Sequence, residues 1–217
     1  MSGFKSGFVS IFGKPNAGKS TLMNALLGEK LAIVSPKIQT TRNKILGILT
    51  EKENQIVFSD TPGLLDPAYK LHERMMGEVE MAKQGTDVVL FLLDPAEATE
   101  ENMKLFLSLR MKQPAFIVIN KCDQASAIQI EKARTAFQPL PTVKQILVVS
   151  ALHKQQLDTL LQTLVQELPD MPAYYDADTL TDKPMRFFVA ELIREKLFLQ
   201  LEEELPYHCA VYVRQYE

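Results

Sequence analysis

Hydrophobic and polar positions follow two rhythms along the chain. Short runs dense in apolar and β-branched residues, at Phe8–Phe12, Lys44–Thr50, Gln55–Ser59, Asp87–Leu93, Ala115–Asn120 and Gln145–Ser150, predict strands. Helix-period segments over about 19–27, 69–84, 99–111, 126–137 and 154–168 lie between them. Only EKEN separates the second and third strands, too little for a crossover helix, so those two form an antiparallel hairpin. The pattern is that of an α/β domain: a six-stranded, mostly parallel sheet with helices on both faces.

After Leu168 the rhythm stops. PDMPAYYDADTLTDKP, with three prolines and four aspartates, reads as a linker. A new helix follows, with apolar positions Phe188, Leu192, Ile193, Leu197 and Leu201 at helical spacing, and YHCAVYV then predicts a strand. One helix and one strand cannot close a core, so they either pack on the first domain or open a second. The expected division is 1–168 for a nucleotide-binding domain, 169–185 for a linker and 186–217 for an incomplete second domain.

The chain has 217 residues, 46% hydrophobic and 24% charged, with a formal net charge of −3. This excludes a disordered chain and gives no global attraction for nucleic acid. Residues 170–217 carry five basic against ten acidic residues, so they do not form a basic RNA-binding tail. Two cysteines without a CxxC motif, Cys122 and Cys209, point to free thiols in a reducing cytosol. No apolar run approaches the ~20 residues that span a bilayer. All nine glycines fall within the first 85 residues, so any site needing close approach of backbone to phosphate belongs there.

The strand Phe8–Phe12 runs into GKPNAGKST, comprising Gly13, Lys14, Pro15, Asn16, Ala17, Gly18, Lys19, Ser20 and Thr21, and then into a helix. That is the order of a P-loop, in which backbone N–H groups wrap phosphates at a helix N-terminus. Lys19 would reach the β- and γ-phosphates and the Ser20 hydroxyl would ligate Mg²⁺. Chance produces such a match in about 1% of chains of this length. DTPG, comprising Asp60, Thr61, Pro62 and Gly63, ends the third strand, where Asp60 can hold Mg²⁺ through water and the Gly63 N–H can meet the γ-phosphate. By itself DTPG is an ordinary turn; behind a P-loop at this distance it is a phosphate sensor.

NKCD closes the strand AFIVI. The Asp123 carboxylate can accept two hydrogen bonds from guanine's ring N–H and amine, where adenine offers an acceptor, so this residue selects guanine. Asn120 would brace the P-loop and Lys121 would cover the base or ribose. SAL, comprising Ser150, Ala151 and Leu152, closes the last strand, where a backbone N–H near Ala151 can meet the guanine oxygen. QTTR, residues Gln39–Arg42, lies in a loop that can lend a hydroxyl to Mg²⁺ when the γ-phosphate is present. Thr40 and Thr41 compete for that role. His72, His153 and His208 read as structural, and Met75, Met76 and Met81 as a packing face.

Together GKPNAGKS, TTR, DTPG, NKCD and SAL resemble the translation-factor-related P-loop GTPases. Within them, KPNAGKSTLMN, SPKIQTTRNKILGI and the tail FFVAELIREKLFLQLEEELPY are similar to the Era family, over essentially the full chain. The spacing of that family favours Thr41 as the metal ligand. The resemblance implies a GTP-controlled switch that binds small-subunit (16S) rRNA, assists 30S maturation, associates peripherally with the membrane from the cytoplasm and is a monomer. It identifies the tail with the opening helix and strand of a KH domain, whose RNA clamp is a GxxG loop. No glycine follows Gly85, so RNA binding is expected of a longer parent protein. Where Ras-like enzymes carry a water-orienting glutamine after the DxxG glycine, this chain has Leu64, which implies slow intrinsic hydrolysis. In relatives with PNxGKS the asparagine resembles a K⁺ ligand, a role that would fall to Asn16. The alternatives are a guanine-nucleotide-binding module with negligible turnover, another ribosome- or tRNA-associated GTPase, and an ATP-dependent small-molecule kinase, against which NKCD argues.

Overall fold

The computed structural model describes residues 3–35, 37, 40–64, 70–203 and 205–215. Six strands, β1 (Lys5–Gly13), β2 (Ile45–Thr50), β3 (Asn54–Asp60), β4 (Val88–Leu93), β5 (Ala115–Ile119) and β6 (Val143–Val148), form one sheet in the order β2-β3-β1-β4-β5-β6. β2 and β3 pair antiparallel as the short EKEN connection requires, and all other pairs are parallel. The helices are α1 (Lys19–Leu27), α2 (Lys70–Gln84), α3 (Thr99–Ser108), α4 (Ala127–Phe137), α5 (Leu157–Glu167), α6 (Met185–Gln200) and the single turn α7 (Leu205–His208).

Period-two alternation in the central strands divides the core between the two faces. Leu90 and Leu92 of β4 pack with Leu22 and Met23 of α1 and Leu160 and Leu164 of α5. Phe91 and Leu93 pack on the other face with Val79 of α2, Phe106 of α3 and Phe137 of α4. α4 begins at a capping box in which Ser126 and Gln129 satisfy each other's backbone donors. The carboxyl ends of the parallel strands lie along one edge, where an open α/β sheet binds its ligand.

The segment 169–185 is strapped along the sheet rather than hanging free. Pro169 O accepts from Ser6 N, Leu180 O accepts from Ile48 N, and the Gln55 amide oxygen accepts from the N–H groups of Tyr174 and Tyr175.

One expectation for the tail fails. YHCAVYV is not a strand: Tyr207 and His208 belong to α7, and residues 209–215 form no regular element. The reason is tertiary, since the carbonyls of Pro206, Tyr207 and Cys209 all accept from the distant Arg42 guanidinium, a convergence that a turn permits and an alternating strand does not. The apolar stripe of α6 is only partly covered, with Phe188, Leu197 and Leu201 half-buried. Leu192 and Ile193 are exposed, and the buried side of α6 is Glu191, Arg194, Glu195 and Phe198.

Candidate functional site

β1 ends at Gly13, and the loop to α1 turns through a left-handed Asn16 (φ 62°) and Gly18 (φ 99°). Gly18 has a second reason to lack a side chain, because a Cβ there would come within 2.3 Å of the Asn120 amide nitrogen. It stands at the N-cap of α1 without any side-chain cap, so the first N–H groups of this helix are left for a ligand. Lys19 is buried, and its ammonium donates to the carbonyls of Gly13 (3.1 Å) and Lys14 (2.7 Å). Burial lowers its pKa to about 8, against the opposing pull of Asp60 and Glu97.

The Ser20 hydroxyl donates to Asp60 Oδ2 at 2.7 Å, the Thr41 hydroxyl reaches the same oxygen at 3.3 Å, and the two hydroxyls are 2.9 Å apart. Thr40 turns away, its hydroxyl donating to Lys37 O. Asp60 is fully buried, burial raises its pKa, and its Oδ1 has no hydrogen-bond partner. Two hydroxyls converging on a carboxylate whose charge is under-compensated make a hard-oxygen donor set, and a Mg²⁺ ion fits it. Thr61, Pro62, Gly63 and Leu64 are all buried; Thr61 is tied to Ile11 O and Leu64 N to Gly13 O. Gly63 lies so close to Pro15 that a Cβ would sit 2.8 Å from it.

The base-reading end is joined to this loop by one side chain. Asn120 donates to Ala17 O (2.9 Å) and accepts from Ala151 N (3.0 Å), so this one side chain ties NKCD, SAL and the P-loop together. Lys121, at φ 57°, pairs with Asp94 at 2.8 Å. Asp123 is held below the usual carboxylate range, first by a hydrogen bond from Ser150 and with help from His153, whose Nε2 is 3.6 Å from Asp123 Oδ2. A cleft of about 390 Å³ runs between these parts, lined by Asn16, Lys19, Ser20, Thr21, Thr41 and Gly63 among others and reaching Lys121. Asp123 and the exposed Leu152 do not line it.

Sequence reading missed several contributors. Lys14 is held by Glu101 at 2.5 Å, and Asn24 ties the loop after α1 through Leu31 N, Ala32 N and Ala32 O. His153, read as structural, stands beside Asp123; Met75 is buried as a packing residue, whereas Met81 is exposed. Gln39 and the side chains of His72 and His208 lie outside the described residues. Both cysteines are free thiols.

Residues 8–121 match the family described as 50S ribosome-binding GTPase. The chain is 44% identical over 214 residues to the GTPase Era of Clostridium botulinum (strain Eklund 17B / Type B), covering 98% of this chain and 72% of that protein. It is 44% identical over 211 residues to the GTPase Era of Clostridium tetani, covering 96% and 72%. The crystal structure of Era in complex with MgGDPNP and nucleotides 1506–1542 of 16S ribosomal RNA superposes with a TM-score of 0.89 at 35% identity, over 94% of this chain and 70% of that one. An Aquifex aeolicus Era variant bound to GDP and AlF4⁻ gives 0.88 at 36% identity, over 93% and 70%.

Proposed function

The chain belongs to the Era family of GTPases, and on that premise we propose that it is a GTP-controlled switch whose longer protein binds small-subunit rRNA and assists 30S maturation. The observation that carries the reading is the meeting of Ser20 and Thr41 on Asp60 beside an unpartnered carboxylate oxygen, next to a buried lysine at an uncapped helix N-terminus. Lys19 exchanges its two carbonyl partners for β- and γ-phosphate oxygens. The backbone N–H groups of the loop from Asn16 to Thr21 wrap the phosphates, and the Gly63 N–H meets the γ-phosphate. Ser20, Thr41 and, through water, Asp60 would hold Mg²⁺, which would supply charge neutralisation at the phosphates. Asp123 accepts from guanine, Ala151 N–H donates to its oxygen, and Lys121 covers base or ribose.

In hydrolysis, water attacks the γ-phosphorus as the bond to the β-phosphate oxygen breaks. Leu64 is buried and has no side chain that could orient that water, which supports a slow intrinsic rate. Asn16, exposed at the mouth of the cleft, is the K⁺ ligand whose ion would offset the developing charge. Single-turnover hydrolysis is expected to run faster in K⁺ than in Na⁺ at equal ionic strength, with the difference lost in Asn16→Ala. Equal rates in both salts exclude the K⁺ role. No measurable turnover in either salt favours the second reading, a guanine-nucleotide-binding module, and ATP competing with GTP at micromolar concentration defeats both.

Residues 186–217 open an RNA-binding KH domain behind the nucleotide domain (1–168) and the strap (169–185). Support comes from alignment of nearly the whole chain, tail included, with the Era relatives. Nucleotide-dependent binding to small-subunit RNA, compared between this chain and a full-length relative, tests that assignment. The protein acts in the cytoplasm as a monomer; no helix among the described residues is long and apolar enough to cross a membrane, so membrane contact, as the family suggests, is peripheral.

A further inference from the structure

α6 buries charge and exposes oil. Glu191, Arg194, Glu195 and Phe198 share its buried face, while Leu192, Ile193 and Leu199 are exposed at 46–50%. A helix burying charged groups needs partners for them, and here the partners outside the helix belong to the loop between α1 and β2. The Glu195 carboxylate accepts from Val34 N at 3.2 Å and from Lys30 at 2.7 Å. The Lys37 ammonium donates to Leu201 O, and Arg42 donates to the carbonyls around α7. Phe198, fully buried, lies with its ring 5.5 Å from the Arg42 guanidinium and 5.3 Å from that of Arg194.

At the centre of this contact Arg194 is gripped by Glu191 through two hydrogen bonds of 2.8 and 2.5 Å, which fix the plane of its guanidinium. The same Nη2 donates at 2.6 Å to Thr40 O. That carbonyl belongs to the rigid peptide unit that ends at the Thr41 Cα, and the Thr41 hydroxyl is the one on Asp60 and Ser20. An unbroken chain of fixed groups therefore runs from Glu191 through Arg194 and the Thr40–Thr41 peptide to the metal corner.

We propose that Arg194 is a positioning residue for Thr41: by holding the Thr40 carbonyl, α6 sets the Thr41 hydroxyl where it can ligate Mg²⁺ in the triphosphate state. This rests on the reading of Thr41 as that ligand. A hydroxyl recruited only with the γ-phosphate stabilises bound triphosphate and not bound diphosphate, so the contribution of Arg194 is selective between the two.

The test uses the whole chain and needs no turnover. Release of mant-labelled GDPNP and GDP is followed at saturating Mg²⁺ and in excess chelator. Arg194→Ala is expected to release GDPNP about tenfold faster in Mg²⁺, as befits one charge-assisted hydrogen bond, and to leave GDP release within about twofold. In chelator the difference from wild type disappears. Lys196→Ala, on the exposed side of the same helix, behaves as wild type. GDPNP release at the wild-type rate, or equal acceleration for both nucleotides, overturns the proposal. Should Arg194→Ala melt below the assay temperature, Arg194→Lys decides: a point-like ammonium cannot reproduce the planar fork that grips Glu191 while reaching Thr40 O, so about threefold faster GDPNP release is expected, and wild-type release refutes it. Thr41→Ala separates the two claims. If it too leaves GDPNP release unchanged in Mg²⁺, the metal-ligand reading falls and takes the proposal with it; if only Thr41→Ala responds, the role of Arg194 alone is lost.

Discussion

The two ends of the nucleotide cleft are held in different ways. At the base end Asn120 joins residues that all sit at the ends of neighbouring strands, and β1, β4, β5 and the segment after β6 carry them there directly. At the switch end Thr41 lies in a loop between α1 and β2, and its closest support outside the site comes from Arg194, more than 150 residues later. The first end is built into the sheet and needs no further partner to keep its shape. The second is held by a surface helix through polar contacts, the kind of attachment that can be released without disturbing the core. A recognition site benefits from the first arrangement and a switch from the second.

The largest expected effect comes from breaking the base end. Asp123→Asn replaces an acceptor of two hydrogen bonds with a group that also donates; GTP affinity should fall about 100-fold or more, from two charge-assisted bonds lost. Xanthine nucleotide, with oxygen where guanine has its amine, should become the better ligand, and competitive titration reads both. Preference between GDPNP and GDP should be unchanged, which separates this end from the switch end; a changed preference would mean the two ends are coupled.

A smaller effect is expected at the link. In Gly18→Ala the new Cβ meets the Asn120 amide at 2.3 Å in a left-handed backbone, a strain of about 1–3 kcal/mol. The melting temperature should fall, and affinity for GDP and GTP should drop together by about tenfold. Loss of GTP binding alone would show that the link serves the switch end instead.

Lys19 lies between the two ends and titrates in reach of experiment. With its pKa lowered to about 8, it is charged at pH 7 and neutral at pH 9, and only the charged form meets phosphate. Nucleotide affinity should therefore be flat from pH 6 to 7 and fall about tenfold between pH 7 and 9. Affinity that holds through pH 9 would show that bound phosphate does not depend on this ammonium.

The six strands, the hairpin and the place of each motif at a strand end were legible in the sequence, because they follow from local rules, whereas the order of the strands in the sheet was not read from it. Short continuous apolar runs such as VVLFLL become strands buried on both faces, and GKPNAGKS sets its loop by the conformations its own residues can adopt. NKCD needed only its place at the end of AFIVI to be read as a base selector. α6 was legible as a helix, but not in the face it buries. Its apolar residues at 188, 192, 193, 197 and 201 form a convincing stripe, yet Leu192 and Ile193 face outward because the charged residues beside them have backbone partners on a distant loop. Periodicity weighs side chains by their affinity for water and cannot count hydrogen bonds to main chain far away in sequence.

By itself, then, the sequence determined the strands, the β2–β3 hairpin and the positions of the candidate loops at the strand ends, since each depends on residues adjacent in the chain. Only the tertiary structure decided that Thr41 and not Thr40 meets Asp60, that Asn120 ties the P-loop to Ala151, and that α6 turns Arg194 toward the switch loop. Those outcomes depend on which buried polar groups find partners, and that is settled when the packed chain leaves no water to serve them.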